Sequence, residues 1–79
     1  MTKEVIDTTE KIARQIRLAV AAKSVAPSNE WISKQTGITA MSIGRYLKGE
    51  RAIPMPAYVA ICKALELDPA EIMRSALDE

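Results

Sequence analysis

Residues 28–49 read SNEWISKQTGITAMSIGRYLKG, and the spacing within them decides the fold. Ser28 is a good acceptor for the orphan N–H groups of a helix start, and Glu30 puts negative charge in the positive first turn. A short helix is therefore predicted from Asn29 to about Thr36, with Ile32 inward. Gly37 stands where such a helix must stop and reverse at positive φ. Thr39 then caps a second short helix, Ala40 to about Leu47, holding Ile43, Tyr46 and Leu47, and Gly49 is the next stop signal. A turn this short does not let the two helices lie antiparallel. They cross steeply, and the second projects outward.

The flanks read as helices too. Asp7 followed by Glu10 has the spacing of a capping box opening a first helix, with residues 1–6 a frayed arm. Ile12, Ile16, Ala19 and Val20 form its apolar stripe, and Ser24 to Pro27 end it, because the residue before proline avoids the α region. Glu50 to Pro56 is a loop stiffened by Pro54 and Pro56. From Pro56, Tyr58, Ile61, Cys62 and Leu65 repeat as one buried stripe. Asp68-Pro69-Ala70-Glu71 supplies cap, proline at the first helical position and a glutamate closing a capping box. The last helix turns Ile72 inward, with Met73 and Leu77 as further inward candidates. No period-two alternation lasts long enough for a strand. The expected fold class is all-α, five short helices in a single domain over 7–79.

Composition narrows the function. The chain has 79 residues, 48% hydrophobic and 27% charged, with three glycines and four prolines, which excludes disordered and low-complexity classes. No apolar run approaches the roughly 18 residues of a membrane span. The single Cys62 forms no internal disulfide, sits on a buried stripe and suits a reducing, cytoplasmic setting. Histidine is absent, removing the commonest general base and metal ligand. No phosphate loop, metal spacing or nucleophile–base pair replaces it, so an enzyme, a cofactor and a small-molecule ligand are not expected. Tyr46 and Tyr58 fall at core or rim spacing rather than as base-stacking platforms. Net charge is only +1, but it is lopsided. Residues 1–27 carry five basic and three acidic side chains, residues 28–51 four and two, and residues 52–79 two and five. A basic face and an acidic end result.

The stretch from Ser28 to Gly49, with the capped Asp68-Pro69 pair after it, resembles the helix-turn-helix family of phage repressors and Cro proteins, the XRE or lambda-repressor-like family. The likeness runs from about Ile12 to Ile72. Ile43-Gly44-Arg45-Tyr46-Leu47-Lys48-Gly49-Glu50-Arg51 is similar to repressors of temperate phages and their bacterial relatives. Departures are Ser33, where relatives usually have Ala, Thr36, where they have an aliphatic, and Glu66, where they have Gly. Held at positive φ, Glu66 would cost about 1 kcal/mol. Gly44 inside a helix costs about 1 kcal/mol relative to Ala.

The resemblance implies a regulator, repressor-like and nucleoid-associated in a bacterial or phage-infected cell, that reads double-stranded DNA. The major groove, about 12 Å wide, admits one helix. Ala40, Met41, Gly44 and Arg45 fall on the base-reading face, and only Arg45 is able to pair bidentately with guanine. Gly44 is open to two readings, close backbone approach to DNA or simple tolerance. Phosphate contacts fall to Asn29, Thr39, Ser42, Lys48 and Arg51, with Lys34 a weaker candidate. Thr39 equally serves as a plain cap, and Trp31 either packs or offers its indole N–H to phosphate. Two-fold operators imply a homodimer, with the end of the last helix, Met73 to Leu77, as its surface. The alternative is a protein-binding module, antitoxin-like, antirepressor or accessory, using the apolar Ala40, Met41 and Gly44 patch.

Overall fold

The computed structural model describes residues 3–79, with side chains from Asp7 onward. Five helices follow in order: α1 (Lys3–Ala21), α2 (Asn29–Thr36), α3 (Ala40–Leu47), α4 (Met55–Ala64) and α5 (Pro69–Leu77). No strand occurs among the described residues. No helix among them is long and apolar enough to cross a membrane.

Each helix contributes to one core. Ile16 of α1, Ile32 of α2, Ile43 of α3 and Ile61 and Cys62 of α4 are fully buried, and Leu65 and Ile72 close the cluster. A buried Leu or Ile side chain stabilises by about 1.5–3 kcal/mol, so these residues rather than helix propensity hold such short segments. Eight-residue helices are marginal alone. α1 packs on α5 and α3, while α2 lies between α3 and α4. Tyr46 and Tyr58 are 8% and 4% exposed, core residues both. The Tyr58 hydroxyl donates to the Pro69 carbonyl, tying α4 to the first turn of α5.

Helix ends follow the cap residues closely. Ser28 Oγ accepts from the Trp31 N–H at 3.1 Å, and Thr39 Oγ1 from the Ser42 N–H at 3.2 Å. Gly37 (φ 80°) and Gly49 (φ 77°) take the left-handed conformation beyond α2 and α3. Glu66 does so beyond α4, at φ 59°, in the strained state its position foreshadows.

Three readings need correction. α1 begins at Lys3, so Asp7 and Glu10 lie inside the helix instead of capping it, and the expected arm over 1–6 is helical from Lys3 on. Met1 and Thr2 lie outside the described residues. The physical reason is that neither Gly nor Pro interrupts residues 3–21, so nothing forces a start at Asp7. At α5, Asp68 Oδ1 accepts from the Ala70 N–H at 2.9 Å, but Glu71 takes a hydrogen bond from Arg74 at 3.2 Å rather than closing a capping box. Leu77 is 65% exposed; Ala76 occupies the inward position, one residue earlier on the Ile72 face.

Candidate nucleic-acid interface

The candidate interface is built around α3. Its inner side is fixed by Ile43 and Tyr46, three residues apart, sunk in the core. That spacing turns the remaining positions outward. Met41 is 69% exposed and Arg45 is exposed, with none of the described residues laid over them. Ala40 is half-buried at the first turn. The outer side of α3 presents one cation and one large apolar side chain to solvent.

Gly44 is also half-buried, and it faces the side chain of Asn29. A Cβ placed there would meet Asn29 Nδ2 at 3.4 Å. That is contact distance to the end of an exposed, flexible side chain, so Gly44 sits beside the amide of Asn29, the first residue of α2, without being required by it. This joins a residue read as phosphate-contacting to one read as base-reading. Their spacing of fifteen positions carries no local periodicity, so only the packing of α2 on α3 reveals it.

The polar groups lie at the helix ends. Asn29, Thr39, Lys34, Lys48 and Arg51 are exposed, and Ser42 is half-buried. Thr39 Oγ1 donates to Ser42 Oγ at 2.9 Å while accepting from the Ser42 N–H. The Thr39 proton is spent within the cap, so the Ser42 hydroxyl proton is the donor this pair can turn outward. Lys34 sits in the last turn of α2, away from the free N–H groups at Asn29. Trp31 is 43% exposed and lines an open groove of about 560 Å³ with Val25, Pro27 and Leu65.

The C-terminal end of α3 is anchored from α1. Arg17 donates from its guanidinium to the Leu47 carbonyl, one of the groups that a helix end leaves unpaired. Gly49 packs so closely that a Cβ on it would stand 3.0 Å from Glu10 Cγ and 3.4 Å from Glu10 Cα. Sequence reading misses Arg17, because a contact across thirty positions leaves no mark on helical periodicity. The thiol of Cys62, fully buried, is pushed above its ordinary pKa by burial and is inert.

A family model described as the Cro/C1-type HTH DNA-binding domain matches residues 12–75. No curated protein and no solved structure matches the chain significantly. The matched span runs from within α1 to within α5 and takes in α2, α3 and α4 whole, so the chain belongs to the Cro/C1-type helix-turn-helix DNA-binding family.

Proposed function

We propose that this chain is a sequence-specific, double-stranded DNA-binding regulator of the phage-repressor kind, working in the cytoplasm, that lays α3 in the major groove. The observation that supports this best is the uncovered outer side of α3, where Arg45 stands exposed one turn beyond Met41 while Ile43 and Tyr46 anchor the helix from within. Arg45 reads guanine O6 and N7. Met41 and Ala40 offer only apolar contact, suited to a thymine methyl group. Gly44 leaves the backbone of α3 bare for close approach to the groove edge, beside the Asn29 amide. With hydrogen-bonded readout so sparse, DNA shape supplies part of the specificity. Asn29, Ser42, Lys48 and Arg51 set the register on the phosphates, with Thr39 and Lys34 as outer members of that set. Two subunits bind half-sites about 34 Å apart, meeting through the exposed end of α5.

Selection of binding sites from random duplexes tests the reading. An enriched motif is expected, and Arg45→Ala should lower preference for it roughly 5- to 150-fold. Lys48→Ala should weaken all sequences evenly and reduce the log–log salt slope by about 0.9. No enriched motif would sink the proposal. A second reading is favoured by one observation, the 69% exposure of apolar Met41: a protein partner packs on α3. In that case pooled genomic DNA stays unshifted at low salt while a partner co-purifies.

A further inference from the structure

Two arginines one turn apart on α1 meet opposite kinds of partner. Arg14 donates to Glu79 Oε1 at 2.8 Å, and Gln15 donates to the other oxygen of the same carboxylate at 2.8 Å. The Arg14 charge is thereby neutralised against the acidic end of the chain. Arg17 instead donates to a neutral carbonyl, that of Leu47, and has no carboxylate partner among the described residues. Its full positive charge is left uncompensated.

Geometry puts that charge at the rim of the reading helix. Leu47 is the last residue of α3, Lys48 follows it directly and is exposed, and Arg51 lies three positions further on. The close packing of Gly49 on Glu10 and Ala13 holds this end of α3 against α1 independently of the hydrogen bond. Capping uses one N–H of the guanidinium. Four further donors remain on an exposed side chain. A planar fork with spare donors beside an ammonium group suits a phosphate oxygen better than it suits bulk water.

We propose that Arg17 is a DNA phosphate-binding residue supplied by α1, gripping the backbone with Lys48 while its other edge caps α3. The inference rests on the DNA-binding reading above and extends the interface to a helix outside the helix-turn-helix itself. The cap also fixes where the donors point, so the contact comes pre-organised at little entropic cost.

The test measures affinity of the full chain for an arbitrary 20-base-pair duplex between 50 and 200 mM salt. Arg17→Gln removes the charge and leaves a polar side chain whose amide falls two bonds short of the donor position, and Arg17→Lys keeps the charge. The Gln variant should lose about 0.9 from the log–log salt slope, so that it sheds about 3-fold less affinity over that range, and the Lys variant should restore the slope. A cap alone would leave the slope unchanged in all three proteins. The second readout needs no substitution: the Arg17 side-chain N–H resonance of the wild-type chain should shift on adding duplex. An unmoved resonance, or a slope unaltered by Arg17→Gln while Lys48→Ala lowers it, overturns this inference and leaves DNA binding standing. Absence of any salt-dependent binding by the wild type removes the DNA reading itself.

Discussion

Gly49 and Glu66 close their helices by the same pair of backbone hydrogen bonds. After α3, the Gly49 N–H reaches the Tyr46 carbonyl at 3.1 Å and the Glu50 N–H reaches the Arg45 carbonyl at 3.0 Å. After α4, Glu66 bonds to Lys63 at 3.1 Å and Leu67 to Cys62 at 2.8 Å. Both turns are Schellman motifs, which call for a left-handed residue at the pivot. Their surroundings differ. The pivot after α3 is pressed on α1, where an added Cβ would crowd Glu10, whereas Glu66 is exposed and bears only backbone strain. The lesson is that α3, the candidate reading helix, is positioned by a close fit to a helix distant in sequence. The bracing helix ends wherever its own hydrogen bonds allow.

The sharpest way to break this contrast is to add one methyl group. Gly49→Ala should cost about 2–4 kcal/mol, from the left-handed penalty of roughly 1–2 kcal/mol and the overpacking against Glu10. Gly37→Ala is the internal control. Gly37 has nearly the same φ, 80°, but nothing within 4 Å of a built Cβ, so only the backbone penalty applies. Unfolding free energies of the two variants from urea titration should therefore separate by more than about 1 kcal/mol. Equal losses would mean that the α1 contact at Gly49 contributes nothing.

On the bracing side, strength comes from Tyr58. Its phenol is pushed up to about 12 from the usual 10, chiefly by burial, with Cys62 and Asp68 adding to the rise. A raised acid pKa means that the folded state favours the protonated phenol. The contribution is complete below pH 10 and drains away as pH climbs from 10 towards 12, by at most about 2–3 kcal/mol. Denaturation midpoints at pH 8 and pH 11 should show the loss. Tyr58→Phe should cost about 1 kcal/mol at pH 8, since the Pro69 carbonyl loses its donor, and should flatten the alkaline decline. A decline that survives the phenylalanine variant would place its origin elsewhere.

The same contrast explains what the sequence makes legible. Ser28, Gly37, Thr39, Gly49 and Asp68 act within a few residues of themselves, so their side-chain chemistry announces the helix ends at which they stand. Ile16, Ile32, Ile43, Ile61 and Ile72 announce the core by periodicity. Asp7 misleads because capping signals are read from residue type, while α1 runs through it for want of a breaker upstream. The candidate site divides along the same line. Arg45 and Met41 follow from facing away from Ile43 and Tyr46. The links of Arg17 to Leu47, Gly49 to Glu10 and Gly44 to Asn29 join residues on different helices, and no local rule encodes them.

The smallest expected effect falls on Glu66. Replacing it by Gly removes the left-handed strain of roughly 1–2 kcal/mol and returns part of that to the more flexible unfolded chain, for a net gain of about 0.5–1 kcal/mol. In a domain of this size such a gain raises Tm by roughly 2–8 °C. Glu66→Ala keeps the strained backbone and removes the carboxylate, so it should leave Tm nearly unchanged. Calorimetry on the three proteins separates the two causes. A Gly variant no more stable than the Ala variant would mean that the turn after α4 carries no strain, and that Gly49 and Glu66 differ only in what surrounds them.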